Sequence, residues 1–398
     1  MITRVMVGSG LLALVALACS SDESTKPSCP VVITAPSDSV VVHPTETIAL
    51  QVFAEDCNNQ PAAPVTYSSG NTNIATVSGI GVATGVAFGK TTLTASAGGA
   101  NHDIVIDVIG HPFASTVDTT PLNMGPYGVA ISANDVVYVT QLFNNTMARG
   151  SIPLDTLENP VTVGGGPAHV AFNPAGTKAY VTNQGSHSVS VVDVASNLET
   201  TQIPLGPEAF NVIVSLDGGT VYASSDIGTI YLINAATNTV VDSFAAGAVA
   251  NGFALSPDGN RLYASSRDAG QVVIFDTQAK VVLDTLVTGN GNQRMAVSPD
   301  GSRLYIANEN LGLDIWNLTT AARDTTISIG AYGLAMSPDG AVIYVAGSSA
   351  QTITIVDRQS RTIKTTIHTQ GIPRNVAFSR YGQQALITDE SGFVTIIR

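Results

Sequence analysis

The chain has 398 residues, a formal net charge of −13, 12% charged residues and 44% hydrophobic ones. That charge excludes broad nucleic-acid contacts, which need clustered Lys and Arg against phosphate, while the apolar fraction is enough for a large core. With 37 Gly among abundant Val, Thr, Ser and Ile, the composition favours short strands and tight turns over charged amphipathic helices.

The first element in chain order is a targeting segment. Arg4 supplies a positive start, and residues 7–18 form an apolar run ending in Leu17-Ala18-Cys19. The run is too short for a membrane span of about 20 residues. It resembles the bacterial lipoprotein signal, with small Ala18 before the cleavage point and Cys19 as the residue that takes the lipid. The resemblance implies that residues 1–18 are a removed signal peptide and that 19–30 are a lipidated tether. It also implies an address at the cell envelope, and Ser20 after the Cys implies the outer membrane, with a periplasmic or surface-exposed face. Membrane contact is then through the lipid anchor only, which two or more acyl chains make stable. An ordinary signal peptide with an incidental Cys is the alternative. Of the three cysteines, Cys19, Cys29 and Cys57, lipidation leaves an even pair. Cys29 and Cys57 are either bridged, as an oxidising compartment allows, or free, since spacing alone does not establish bridge geometry.

Residues 31–110 read as short strands at 39–42, 48–54, 65–69, 74–77, 90–96 and 103–108, with Gly, Pro and Asn between them. This pattern predicts a small β-sandwich. Val65-Thr66-Tyr67-Ser68-Ser69-Gly70-Asn71, Ile74-Ala75-Thr76-Val77-Ser78, Gly85-Val86-Ala87-Phe88-Gly89 and Leu93-Thr94-Ala95-Ser96 resemble the group 2 bacterial immunoglobulin-like domain. Tyr67 stands where that family often carries Trp. The resemblance implies an immunoglobulin-like sandwich acting as a spacer or an adhesive module, and spacer is the preferred reading.

Residues 111–398 repeat. Ser256-Pro257-Asp258-Gly259, Ser298-Pro299-Asp300-Gly301 and Ser337-Pro338-Asp339-Gly340 align, with degenerate copies beginning at Ser132, Asn173, Ser215 and Ser379. Behind each turn stands a bulky residue: Tyr138, Tyr180, Tyr222, Tyr263, Tyr305, Tyr344 and Leu386, at spacings of 42, 42, 41, 42, 39 and 42 residues. Seven copies of a unit of about forty residues, each with four strand-like pieces, predict a seven-bladed β-propeller. In the fifth copy those pieces are 295–298, 303–307, 313–316 and 325–329. The last copy stops after three strands, so a piece at 113–120 is expected to complete the final blade and close the ring. Tyr180-Val181-Thr182-Asn183, with weaker copies Tyr138-Val139-Thr140 and Tyr305-Ile306-Ala307-Asn308, resembles the YVTN-repeat, YncE-like propellers. The resemblance covers about residues 112–398 and carries the fold rather than a function.

In a propeller the loops entering the innermost strands converge on one channel mouth. Alignment places Gly128, His169, Asn211, Gly252, Arg294, Gly333 and Asn375 in one ring there, beside Tyr127, Ala168, Phe210, Asn251, Gln293, Tyr332 and Arg374. Tyr127, His169, Asn211, Asn251, Arg294, Tyr332, Arg374 and Asn375 are the candidate ligand-binding residues. Arg294 and Arg374 either hold a carboxylate or phosphate bidentately or pair with neighbouring carboxylates and carbonyls. His169 is either a packing residue or a base, and the two tyrosines either fill the channel or touch a ligand. His187 and His368 fall elsewhere, beside and within outer strands.

No Cys-x-x-Cys-His, His-Glu-x-x-His, Gly-x-Ser-x-Gly or phosphate-binding glycine loop is present, and no metal or cofactor is expected. Glu208 is the only acidic residue near the mouth columns, and no catalytic set stands out. The pattern favours a non-catalytic, envelope-anchored binding or scaffold protein whose propeller meets a protein, a glycan or a small anionic ligand. Two alternatives stand beside it: a lactonase-like propeller hydrolase using the polar mouth residues, and a purely structural surface protein.

Overall fold

The computed structural model describes residues 30–58, 60–61, 64–111, 116–122, 125–247 and 250–398. Residues 1–18, expected to be a signal segment, and Cys19 and Cys29 lie outside the described residues. Those described fall into two compact units, one ending at Gly110 and the other beginning at His111, and every regular element among them is a strand.

In the first unit, Ser39–Val42, Ala100–Val108, Gly89–Ala97 and Thr66–Ser69 make a four-stranded sheet. Thr47–Ala49, Val82–Gly85 and Ala75–Val77 make a three-stranded one. Val42, Leu93, Ile104 and Ile106 of the first sheet and Ala75 and Ala83 of the second share one buried cluster. Burial of these alternate apolar positions is what drives the two sheets together. The single strand expected at 48–54 is instead broken. Gln51 turns left-handed at φ 47, so Thr47–Ala49 pairs with Val82–Gly85 and Phe53–Glu55 pairs with Val32–Thr34. Leu50, at the break, is buried in the core. Cys57 is disulfide-bonded, while the expected partner, Cys29, is outside the described residues.

The second unit is a propeller of seven four-stranded sheets. The second blade is representative: Pro167–Phe172, Lys178–Asn183, Ser188–Asp193 and Leu198–Pro204 run from innermost to outermost, each antiparallel to the last. The final blade is completed by Val117–Pro121, which pairs with Phe393–Ile397. Ring closure by an earlier segment therefore holds, although Phe113 is outside the described residues. A loop between Thr146–Ser151 and Glu158–Thr162 strengthens the same seam. Its Leu154 is buried, its amide donates to Gln384 Oε1 at 2.8 Å, and its carbonyl accepts from Arg398 Nη2 at 2.7 Å.

The repeated turns and tyrosines explain why each blade forms and where it packs. In the fourth blade Ser256 Oγ donates to Asp258 Oδ1 at 2.5 Å and accepts the Arg261 amide at 2.9 Å, while Gly259 supplies φ 72. The turn thus satisfies its own polar groups and starts the next strand. Tyr180 packs with Val212, Val214 and Val221 of the following blade, and Tyr222 with Phe253, Leu262 and Phe275. Burial of these rings holds blade to blade.

Candidate functional site

The two mouth columns lie inside the innermost strands rather than in the loops before them, except Tyr332, which directly precedes the strand Gly333–Met336. In the fifth blade the strand begins at Asn292, so Gln293 and Arg294 are its second and third residues. A bulge explains the difference. Asn292 pairs with Asn308 and Met295 with Ile306, leaving an extra residue between them, and the same irregularity recurs in blades 1 to 4 and 7. Bulges re-aim side chains, and here they turn the columns toward the channel.

Hydroxyls on the second strands tie the columns of neighbouring blades together. Thr140, Thr182, Ser265 and Thr388 donate to the carbonyls of Ala168, Phe210, Gln293 and Tyr127 at 2.8, 2.9, 2.8 and 2.5 Å, and Ser224 does so to Ala250 at 2.7 Å. Ala307 and Ala346 occupy this position in blades 5 and 6. Where the ring residue is glycine, the neighbouring blade occupies the space of a side chain. A Cβ at Gly128, Gly252 or Gly333 would sit 2.4, 2.0 or 1.8 Å from the next blade's carbonyl oxygen.

The ring positions that carry side chains converge on Arg294. Its Nε donates to Asn375 Oδ1 at 2.9 Å, its Nη1 to the Asn251 carbonyl, and its Nη2 to the His169 ring, with Nδ1 3.1 Å away. Four blades are joined through one guanidinium. Asn211 Nδ2 donates to the Asn251 carbonyl at 3.0 Å, and Asn375 Nδ2 to the Tyr127 carbonyl at 2.7 Å. His169, Asn211, Asn251 and Asn375 are buried, whereas Arg294 is partly exposed. Burial, then the adjacent Arg294 charge, holds His169 well below the usual histidine range. It is therefore a neutral acceptor for the guanidinium. Burial likewise pulls Arg294 down from its ordinary value, though guanidinium stays charged in proteins.

Tyr127 and Tyr332 fill space rather than line an open mouth: both are buried, and their hydroxyls meet at 2.6 Å. Burial raises the Tyr127 phenol far above its normal value, which leaves it un-ionised. Arg374 stacks on the Tyr332 ring, its guanidinium carbon 4.4 Å from the centroid, and donates from Nη2 to Glu390 at 2.6 Å. For Arg374 the structure thus provides the carboxylate partner.

Above this floor is a charged collar that the column alignment passed over. Arg267 donates to Glu309 Oε2 at 3.0 Å, Gln293 Nε2 to Glu309 Oε1 at 2.7 Å, and Asn251 Nδ2 to Gln293 Oε1 at 2.8 Å. Arg267, Glu309, Ser348 and Glu390 each directly follow a second strand. Antiparallel pairing puts those hairpins beside the start of the innermost strands. Aligning the residue after the Tyr-Val-Thr-Asn position would have revealed them. His187 belongs to the same set of hairpins, beside the third strand Ser188–Asp193, and His368 ends the outermost strand Thr362–His368. Glu208 is exposed, and among the described residues no group of three or more His, Cys, Asp or Glu is arranged to hold a metal ion.

The same face exposes apolar side chains. Phe143, Ile227 and Leu311, in second-to-third-strand hairpins, are 71%, 63% and 39% exposed, and Ile372, beside the seventh inner strand, is 36% exposed.

Residues 134–326 match the family described as lactonase, 7-bladed beta-propeller. Among solved structures the chain is similar to the Kuenenia stuttgartiensis hydrazine synthase, at TM-score 0.63 and 21% identity, over 69% of this chain and 96% of that one. At that identity the likeness is one of fold. No curated protein matches the chain.

Proposed function

We propose that this chain is a non-catalytic scaffold of the bacterial envelope, held by a lipid at Cys19 and raised from the membrane by an immunoglobulin-like spacer. Its propeller of the YVTN type docks a protein partner on the face where the innermost strands begin. The observation that carries the reading is the composition of that face. Phe143, Ile227, Leu311 and Ile372 are exposed on the same set of hairpins and strand starts that carries the Arg267–Glu309 and Arg374–Glu390 pairs. Exposed aromatic and aliphatic anchors beside arginines are the make-up of protein interfaces, and a glycan would leave the aliphatic groups unused.

The test is co-purification of cross-linked envelope partners with the full chain. Phe143→Asp combined with Ile227→Asp should lower partner recovery by tenfold or more, since burying two unpaired charges at an interface costs more than about 1.4 kcal/mol. Leu216→Asp, in a turn at the opposite face, should leave recovery unchanged. Equal recovery with both variants defeats the reading.

A second reading rests on the lactonase family match. Arg294 would stabilise the oxyanion formed when water adds to the lactone carbonyl, and His169, as acceptor for that guanidinium, would hold it in place. Lactone hydrolysis by the full chain that disappears in Arg294→Gln would establish it in place of the scaffold.

A further inference from the structure

We propose that the channel floor at Arg294 is a binding site for a small carboxylate monoanion. This is independent of protein docking on the face above it. Arg294 is enclosed by neutral groups: the Asn375 side chain, the Asn251 carbonyl, the His169 ring, and the Tyr127 and Tyr332 phenols. Among the described residues, Arg267, Arg303, Arg323, Arg361, Arg374 and Arg398 each reach a carboxylate within 4.0 Å, whereas Arg294 has no such ion pair, a lack it shares with Arg149, Arg261, Arg358 and Arg380. Arg294 is half-buried, a guanidinium cannot shed its proton to relieve that burial, and a charge partly withdrawn from water without a counter-charge is destabilised. The floor therefore carries a positive charge that an anion would stabilise, within a chain whose net charge is −13.

The geometry selects the anion. Guanidinium has five N–H groups, and three are committed to Asn375, Asn251 and His169. One N–H on each terminal nitrogen is left without an acceptor among the described residues, matching the two oxygens of one carboxylate. Of the two phenols 2.6 Å apart, only one donates to the other, so a further O–H is available to an acceptor.

Acetate is the probe, and saturation transfer to its methyl protons on the full chain, at constant ionic strength, is the measurement. Transfer should saturate with acetate and be competed by chloride. Arg294→Gln should weaken acetate by about tenfold or more, because it removes two charge-assisted hydrogen bonds. Arg303→Gln, at an exposed ion pair, should change nothing. Arg294→Lys keeps the charge without the fork and should retain chloride while weakening acetate several-fold. It decides the matter should the Gln variant not fold. Absence of transfer with the unmodified chain overturns the proposal, as does an acetate affinity unchanged in Arg294→Lys or Arg294→Gln.

Discussion

The turns at one end of the blades and the ring at the other obey different rules. Ser215, Ser256, Ser298 and Ser337 each donate to an aspartate two residues on, and a glycine follows at φ 65–74. Every such turn satisfies itself. The ring position, by contrast, is Gly, His, Asn, Gly, Arg, Gly and Asn from blade 1 to blade 7, and none of these identities can be understood from its own blade. Gly333 is set by the Arg374 carbonyl, and His169 by a guanidinium 125 residues away. Repetition marks what each blade needs to fold, and departure from repetition marks where the blades do something together.

Glycine substitution separates the two rules most sharply. Gly333→Ala places a methyl group 1.8 Å from a backbone oxygen that no side-chain rotation can move. It should cost about 3 kcal/mol in urea unfolding, at the upper end for overpacking. Gly301→Ala meets nothing closer than 3.7 Å and pays only for φ 70, about 1–2 kcal/mol. Equal losses would mean that the ring glycines answer only to their own backbone. The shared hydroxyl comes next. Thr182→Val leaves the His169 amide and the Phe210 carbonyl, now 3.1 and 2.9 Å from Oγ1, without that partner. About 2 kcal/mol of destabilisation is expected, with no change in secondary structure by circular dichroism.

The same contrast explains what could be read from the sequence. Turn chemistry, the Tyr column and the period of about forty residues are local or repeated, so the seven blades and their closure were legible. The fifth inner strand was expected at 295–298 and runs from Asn292 to Val297, because the bulge puts Gln293 and Arg294 inside a strand whose alternation they interrupt. Likewise 48–54 looked like one strand, since nothing in its composition announces that Gln51 turns left-handed. The columns themselves were found by alignment. What they do was not, because Arg294 reaches blades 2, 4 and 7 through contacts 43 to 125 residues apart. Arg374 illustrates the converse: pairing with a carboxylate was one of two readings, and the partner is Glu390, in the hairpin column that was not aligned.

The smallest effect expected is also the one that isolates the ring from the turns by pH. His169 is held well below the ordinary histidine range by burial and then by Arg294, so the folded chain keeps it neutral where the unfolded chain, near 6.5, takes up a proton. Below about pH 6.5 the unfolded state therefore binds more protons at this site. Stability falls on acidification by up to about 1.4 kcal/mol per pH unit, and above that pH the residue contributes no slope. His169→Gln keeps an acceptor for Arg294 and removes the proton site, so the difference in unfolding free energy between the two chains should grow from pH 6.5 downward. The turns act over a lower window. The hydrogen bond from Ser298 lowers the Asp300 carboxyl to about 2, so its stabilisation is present above about 3.9 and is lost as pH falls toward 2. A difference between wild type and His169→Gln that is flat from pH 7 to 5 would show that His169 titrates normally. It would then be no enclosed acceptor, and the ring would be open to water at Arg294.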